Sequence, residues 1–270
     1  MTEKLPAQRR ARILELLERD GHVRVPTLAG DLGVSEMTVR RDITALADAG
    51  ELVKVHGGAA AEDRPTSGEP GFDAQVQRAV EAKNAIARRA AELVRPGMSL
   101  ALGAGTTTFA LAHELARVPD LTIVTNSPRL AAVAEASPDA GRTVLLTGGM
   151  RTPSDALVGP LATGSLATLR VDLAVLGAHG LTAEAGCTTP NMLEAAVNSA
   201  ILASAARTAV LIDSGKWGVT GLCRFAALDD IDILLSDDAL PPEAQRALAE
   251  HIDDIRLAPR RRSTPERNTP

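Results

Sequence analysis

Apolar residues recur at helical spacing in three short blocks near the start of the chain. The first two blocks predict helices over residues 6–19 and 26–32. The third helix begins after Ser35, a residue suited to capping it, and carries apolar residues on one face: Val39, Ile43 and Leu46. Two helices joined by a short turn that contains Gly33 form the helix-turn-helix pattern.

A short β-like run over residues 52–55 follows the third helix and precedes His56-Gly57-Gly58. The stretch 23–25 alternates apolar and polar residues in the same way. We expect these two runs to pair as a small β-wing beside the helices.

Beyond a polar stretch rich in Pro and Gly, the hydrophobic pattern changes. A long helix is predicted over about 73–94, followed by short apolar strands that alternate with Ala-rich helices. The predicted strands are 98–102, 121–125, 143–147, 172–176, 208–212 and 231–235, and the helices are 107–117, 127–136, 161–169, 190–206 and 241–251. This alternation is typical of an α/β domain with a mainly parallel sheet covered on both faces.

The length of 270 residues suits about two domains. We predict a winged helix-turn-helix domain over 1–58, a linker over 59–72, an α/β domain over 73–257 and a disordered tail over 258–270. The fold class is therefore α/β with an appended helix-turn-helix.

The net charge of −5 is unevenly distributed along the chain. Residues 1–57 hold nine basic and nine acidic side chains, so the acidity lies wholly in the remainder. A neutral module can still present a basic face to DNA, because phosphate contact depends on clustering. The acidic remainder is expected to stay off the DNA.

Composition also limits localisation and cofactors. No run reaches the roughly 20 apolar residues of a membrane span, and the charged N-terminus has no apolar signal core. Two cysteines are too few for a disulfide scaffold or a four-cysteine zinc site. We therefore expect a cytoplasmic protein with no membrane association, no metal and no cofactor.

The third helix has the features of a DNA reader, since residues near the start of such a helix reach base edges in the major groove. Thr38 and Arg41 share a face and are the predicted base contacts, whereas basic side chains nearby suit phosphates. Arg9, Arg10 and Arg12 of the first helix could also brace the DNA backbone. The predicted DNA-binding residues are Ser35, Thr38, Arg40, Arg41, Thr44, Lys54 and His56. The alternative is that Arg40-Arg41-Asp42 is an ordinary solvated helix face.

The segment Gly103–Thr108 (GAGTTT) follows a predicted strand and opens a helix. Backbone amides and hydroxyls in this arrangement favour an anion, although a plain strand-to-helix turn would look the same. It is neither a P-loop nor a dinucleotide fingerprint. Other polar loops follow the strands, and ligands of open α/β sheets bind at that edge. Lys83 and Lys216 are candidate phosphate partners or simply surface lysines.

The stretch VSEMTVRRDITALADAGELVKVHGGA resembles the winged helix-turn-helix of DeoR-type transcriptional regulators. Their signature joins a VS-x-x-T-[IV]-RRD-x-x-x-L run to an HGGA-like wing, and residues 34–46 and 56–59 match it. The segments GAGTTT, VTN, LTGG, ALVGP and GAHGLTAEAG resemble the DeoR-type sensor domain. That domain shares its fold with ribose-5-phosphate isomerase and glucosamine-6-phosphate deaminase.

The resemblance implies an effector that is a phosphorylated sugar or a related metabolite. Family members often contact it through a Glu at the position of Glu194, which is equally a residue favoured by the helix dipole. Many members carry an acidic residue where Gly103 stands, so a sugar-hydroxyl contact is missing here. The predicted effector-binding residues are Lys83, Gly105, Thr106, Thr107, Asn126, Gly148, Gly149, Glu194 and Lys216.

The leading hypothesis is a repressor of a sugar or polyol catabolic operon, acting as a homodimer or homotetramer on operator DNA and without enzymatic activity. The alternative is a sugar-phosphate isomerase-like enzyme with a DNA-binding appendage. Its candidate bases are Glu184, Glu194, Asp213 and His179. A third possibility is a constitutive DNA-binding protein whose second domain only assembles oligomers. Cys187 is either a small neutral side chain or a redox sensor.

Overall fold

The computed structural model describes residues 6–20, 22–49, 51–55, 57–60, 71–136 and 141–260. The chain divides into two compact units, Met1–Gly68 and Glu69–Pro270. No helix within these described ranges is long and apolar enough to cross a membrane.

The first unit contains three helices and three short strands among its described residues. They are α1 (Pro6–Asp20), β1 (His22–Arg24), α2 (Val25–Leu32), α3 (Glu36–Asp48), β2 (Val53–Val55) and β3 (Gly58–Ala60). Leu28, Val39 and Ile43 are buried with apolar residues of α1 in one hydrophobic core. The three predicted helices are therefore present, because their apolar stripes close on one another.

The wing differs from the predicted pairing. β3, rather than β2, pairs with β1, and the order of this sheet is β1-β3-β2. Gly57 has a φ of 78°, which turns the chain back so that β3 can enter between the other strands. Gly58 then lies against β1 so closely that a Cβ there would meet the carbonyl oxygen of Val23 at 2.0 Å. The prediction that residues 52–55 pair with 23–25 is wrong because it overlooked this returning strand.

The second unit is built on a parallel sheet. Its elements are α4 (Phe72–Val76), α5 (Val80–Ala91), β4 (Ser99–Leu102), α6 (Thr106–Glu114), β5 (Thr122–Thr125), α7 (Pro128–Glu135), β6 (Thr143–Leu146), β7 (Met150–Arg151), β8 (Leu157–Val158), α8 (Pro160–Leu166), β9 (Leu173–Gly177), β10 (Gly180–Thr182), β11 (Gly186–Thr189), α9 (Met192–Ala203), β12 (Thr208–Leu211), β13 (Cys223–Ala226), β14 (Ile233–Asp237), α10 (Pro242–Ala249) and β15 (Asp254–Ala258). Within the described ranges, seven parallel strands run in the order β15-β14-β12-β9-β4-β5-β6.

Helices cover both faces of this sheet. One core joins α5, α6 and α7 to strand residues such as Leu100, Ile123 and Val175. The other joins α8, α9 and α10 to the alternate strand residues, such as Ala101 and Leu176. The α/β architecture predicted from the alternating pattern is confirmed, because the strands are apolar on both faces.

Three features of this unit depart from the predicted elements. The helix predicted over 73–94 is two helices, since Ala79 adopts a left-handed conformation with φ 48° between α4 and α5. The antiparallel sheet β10-β11-β13 and the hairpin β7-β8 were not predicted. β15 adds a further strand and ends at Ala258, the first residue of the predicted tail.

Candidate functional site

The start of α3 is organised around Ser35. Its Oγ accepts a hydrogen bond from the backbone amide of Thr38 at 3.2 Å, which caps the helix as predicted. The Ser35 Oγ and Thr38 Oγ1 atoms are 2.9 Å apart and share a hydrogen bond. The hydroxyl of Thr38 is thus already engaged with the cap.

The two arginines of α3 have different surroundings, although both side chains are exposed. A terminal nitrogen of Arg40 lies 3.4 Å from the carboxylate of Glu36. Arg41 makes no side-chain hydrogen bond or ion pair with another described residue. Its guanidinium is therefore available for a base or phosphate.

The other predicted DNA contacts are only partly described. The hydroxyl of Thr44 donates to the carbonyl oxygen of Arg40 at 2.8 Å. Lys54 is exposed on β2 of the same unit. His56 lies outside the described residues.

Asp42 points into the protein rather than to solvent. Its carboxylate is buried and accepts from Arg9 Nε at 2.9 Å and Arg10 Nε at 3.3 Å. Because Arg9 is buried in this pair, it does not serve as the predicted brace for the DNA backbone. The Arg40-Arg41-Asp42 run therefore combines two outward arginines with one inward carboxylate, and it is not a uniform solvated face.

A cleft of about 760 Å³, which includes space open to solvent, lies at the carboxyl ends of β4, β9 and β12. Ligands of open α/β sheets bind in clefts at this edge, outside the carboxyl ends of the strands. Its lining residues come from the ends of these strands and the loops after them, from α4, α5, α6 and α9, and from the hairpin β7-β8 and the end of β11. They are Phe72, Gln75, Lys83, Ala104, Gly105, Thr106, Thr107, Ser154, Gly177, Ala178, His179, Thr189, Pro190, Glu194, Asn198, Leu211, Ile212, Asp213 and Lys216.

One wall of the cleft carries the features of an anion site. Gly105 precedes α6, and Thr106 and Thr107 form its first turn. Amides at the start of a nine-residue helix have no partner within the helix and attract negative charge.

Lys83 reaches the cleft from α5 and is buried, with 4% of its surface exposed. Its Nζ donates to the backbone carbonyl oxygen of Gln75 at 2.6 Å. Burial lowers the pKa of Lys83 to about 8, with Asp213 opposing the shift and Lys216 and Arg78 adding to it. The ammonium is therefore poorly hydrated, which favours its pairing with an anionic ligand.

Lys216 is held in place by a buried carboxylate. It ends a short 3-10 turn, Ser214–Lys216, that follows β12. The backbone amide of Ser214 donates to Asp237 Oδ1 at 2.6 Å, and its hydroxyl donates to Oδ2 at 3.1 Å. This anchoring fixes the turn on the cleft wall.

Glu194 lies in the first turn of α9, where Asn191 caps the helix. The hydroxyl of Thr189 donates to Glu194 Oε2 at 2.8 Å, and Ser154 Oγ lies 3.5 Å from Oε1. The carboxylate is therefore oriented at the cleft, where it can accept hydrogen bonds from ligand hydroxyls.

Three residues predicted to bind the effector do not line the cleft. Asn126 is fully buried; its Oδ1 accepts from the amide of Ala104 at 2.8 Å, and its Nδ2 donates to the carbonyl of Leu157 at 3.1 Å. Gly148 and Gly149 form the turn before β7, where both have positive φ. Asn126 thus supports the loop after β4 instead of contacting a ligand, because its side chain points inward.

The structure also separates the candidate catalytic bases. Glu194, Asp213 and His179 line the cleft, whereas Glu184 does not. Phe72, Gln75, Ser154 and Asn198 line it too, and sequence reasoning missed them. Their positions before α5, after β7 and within α9 carry no motif, so no sequence signal distinguished them.

Two residues mark apolar parts of the sensor unit. Cys187 is fully buried, and this burial raises the pKa of its thiol to about 12. The thiol stays protonated at neutral pH, which favours its reading as a small neutral side chain over a redox sensor. Gly103 lies against the core, where a Cβ would meet Leu176 Cδ2 at 2.1 Å.

A helix-turn-helix unit joined to an α/β unit with a polar cleft at the carboxyl ends of its strands is the arrangement of a ligand-responsive DNA-binding regulator. Two family models match the chain: the DeoR-like helix-turn-helix domain over residues 9–64 and the DeoR C-terminal sensor domain over residues 78–238. The chain belongs to the DeoR family of transcriptional regulators.

Similar proteins span nearly the whole chain. The HTH-type transcriptional regulator GlpR of Haloferax volcanii is 35% identical, covering 90% of this chain and 94% of the relative. GolR of Listeria innocua is 33% identical, with 93% and 97% covered. The glycerol-3-phosphate regulon repressor of Escherichia coli is 28% identical, with 93% and 98% covered.

Solved structures overlap only in part. A D-ribose-5-phosphate isomerase in complex with phospho-erythronic acid matches with 19% identity and a TM-score of 0.37, covering 53% of this chain and 55% of the isomerase. The beta subunit of eIF2B from Chaetomium thermophilum gives 14% identity, a TM-score of 0.41 and coverage of 64% and 54%.

Proposed function

We propose that this regulator represses a sugar or polyol catabolic operon and is released from its operator by a phosphorylated sugar-type effector. The observation that carries the proposal is the meeting of Lys83, Lys216 and the first turn of α6 in one cleft. The similarity to a glycerol-3-phosphate regulon repressor supports an effector of this class.

The cleft offers separate chemistry for the two ends of such an effector. The ammonium groups of Lys83 and Lys216 and the amides of Thr106 and Thr107 can neutralise a phosphate dianion. Glu194 can accept hydrogen bonds from sugar hydroxyls. A neutral sugar would leave the lysines without an anion, so we expect discrimination in favour of the phosphorylated form.

The hydrogen bond from Lys83 to Gln75 suggests how occupancy is transmitted. A phosphate that takes the Lys83 ammonium competes with the carbonyl oxygen of Gln75. Gln75 belongs to α4, and the chain before α4 leads back to the DNA-reading unit. An effector that favours a different position of α4 shifts the binding equilibrium, and about 1–3 kcal/mol of coupling is typical.

On the DNA, α3 is proposed to enter the major groove, with Thr38 and Arg41 at base edges and Ser35, Arg40, Thr44, Lys54 and His56 around the backbone. One such unit makes few contacts, so we expect a homodimer or homotetramer on paired half-sites.

The decisive experiment measures operator affinity of the full chain against a panel of phosphorylated sugars and their unphosphorylated counterparts. At least one phosphorylated compound should weaken operator binding, and its unphosphorylated counterpart should not. Thr106→Val should keep operator binding but reduce the response, because it removes a hydroxyl from the cleft.

The same panel separates the alternatives. The enzyme alternative gains support from Asp213 and Glu194, two carboxylates in the cleft. Turnover of ribose 5-phosphate or glucosamine 6-phosphate by the purified protein would favour it over the repressor. An operator affinity that no phosphosugar alters would instead favour a constitutive DNA-binding protein.

A further inference from the structure

The strand β6 has one open side. Among the described residues it is the last strand of the parallel sheet and pairs only with β5. The amides of Thr143 and Thr147 donate to carbonyls at the β5 side, so the intervening amides of Val144 and Leu146 point the other way. This edge therefore presents unused backbone donors and acceptors.

Exposed apolar side chains surround this edge. Leu145 and Leu146 of β6 are 38% and 47% exposed, Met150 of β7 is 59% exposed and Leu161 of α8 is 73% exposed. These four residues are here called the β6 surface. The hydroxyl of Ser165 lies within hydrogen-bond distance of the carbonyl oxygens of both Thr147 and Leu161, so α8 lies beside the end of β6.

The β6 surface is also uncharged in sequence. Residues 143–150 and 156–169 contain no charged side chain, in a chain of which 23% is charged. Arg151, which follows Met150 on β7, is exposed but forms an ion pair with the buried Asp155. The opposite edge of the same sheet is different, because β15 carries Asp254 and Arg256, which form an ion pair at 2.7 Å. Charged residues normally protect an exposed edge strand from pairing with another chain. The β15 edge has this protection, and the β6 edge lacks it.

We propose that the β6 surface is the interface with a second copy of this chain. In a two-fold arrangement the same patch faces itself, and an uncharged patch meets its copy without like-charge repulsion. Antiparallel pairing of β6 with its copy would use the outward amides of Val144 and Leu146. The leucines and Met150 would then be buried against their equivalents.

A second copy is favoured over an unrelated protein because reading paired half-sites needs two α3 helices. This choice of occupant rests on the proposed operator function, whereas the unprotected edge does not. The β6 surface belongs to the second unit of the chain, whereas α3 belongs to the first.

The test compares the mass of the full chain in solution, by sedimentation equilibrium, with that of substituted chains. Leu146→Lys places a charge on the edge and should weaken self-association at least tenfold. Val144→Pro removes an outward amide without removing a bond to β5, and it should act in the same direction. Leu222→Lys is the matched control, since Leu222 is 52% exposed elsewhere on the unit and should leave the mass unchanged.

A monomeric wild-type chain would overturn the proposal. So would edge variants that keep both the wild-type circular dichroism spectrum and the wild-type mass in solution. Dissociation by Leu222→Lys alone would place the interface elsewhere. If the edge variants leave the association state unchanged and deletion of residues 261–270 alters it, the tail of the chain covers the β6 edge and the proposal is wrong. If Leu146→Lys weakens self-association but the wild-type chain binds no operator, the interface stands and the proposed function fails.

Discussion

Nε of Arg9 lies 2.9 Å from Oδ2 of Asp42, and both side chains are buried where α1 meets α3. The pair connects the first helix to the helix that is proposed to read DNA. Arg10 adds a second guanidinium to the same carboxylate at 3.3 Å. The buried carboxylate of Asp42 therefore fixes the position of α3 relative to α1.

Asp42→Asn should destabilise the DNA-binding unit by about 3 kcal/mol, because a buried guanidinium loses its counter-charge. Glu15→Gln is the matched control, since Glu15 pairs with Arg12 at the surface and contributes at most about 1 kcal/mol. Urea unfolding monitored by circular dichroism measures both changes. Equal effects of the two substitutions would contradict the assigned role of Asp42.

Arg41→Ala should reduce discrimination between operator and unrelated DNA by about 1–3 kcal/mol, as expected for the loss of a base contact. Arg40→Ala should instead weaken binding to all sequences and lower the salt dependence, as expected for a phosphate contact. Titration of operator and scrambled duplexes at several salt concentrations tests both. If Arg41→Ala lowers the affinity for operator and scrambled DNA equally, Arg41 contacts a phosphate and not a base.

Effector affinity should fall as the pH rises from 7 to 9. The pKa of Lys83 is about 8, so the ammonium that would pair with phosphate is lost across this range. The second pKa of a phosphate monoester is about 6, so the ligand stays largely dianionic over this range. The loss of affinity therefore reports deprotonation of the protein. Calorimetry should show affinity falling by up to about tenfold per pH unit above 8.

Lys83→Met serves as the control for this titration. Its affinity should be lower at pH 7 and nearly independent of pH. In the absence of ligand, the folded chain releases the Lys83 proton near pH 8, whereas the unfolded side chain holds it to about 10.5. The contribution of Lys83 to the unfolding free energy therefore rises between these two pH values, and Lys83→Met should remove that rise. A wild-type affinity that does not vary with pH would exclude Lys83 from the anion site.

Gly103→Ala should destabilise the sensor unit by about 1–3 kcal/mol, because the new Cβ overlaps a buried leucine. The double variant with Leu176→Ala should lose less stability than the sum of the losses of the two single variants, because Cδ2 of Leu176 is the atom that the new Cβ would overlap. Thermal unfolding of the four chains gives the coupling. Additive losses would show that Leu176 does not limit residue 103.

The sequence predicted those parts of the fold that depend on apolar periodicity. Helices α1 to α3 and the buried parallel strands followed from it, because each has a face that must be removed from water. The break at Ala79 could not be predicted, since alanine favours an uninterrupted helix, whereas its φ here is 48°. The short strands β10 and β11 were not predicted either, because segments rich in Gly and Thr carry little hydrophobic pattern.

Six of the nine residues predicted to bind the effector line the cleft, and the direction of a side chain explains why one of the others does not. Lys83, Thr106 and Lys216 line it, whereas Asn126 ends a strand but turns inward to support Ala104. Periodicity places a residue at the sheet edge without saying whether it faces a ligand or a neighbouring loop.

The contact between Gly103 and Leu176 has an evolutionary consequence. A carboxylate added at residue 103 would have to displace a leucine of the hydrophobic core before it could reach a ligand. A lineage of this regulator could therefore gain that acidic group only if the side chain at position 176 shifted or became smaller. A change at either of these two positions would have to be matched by a change at the other.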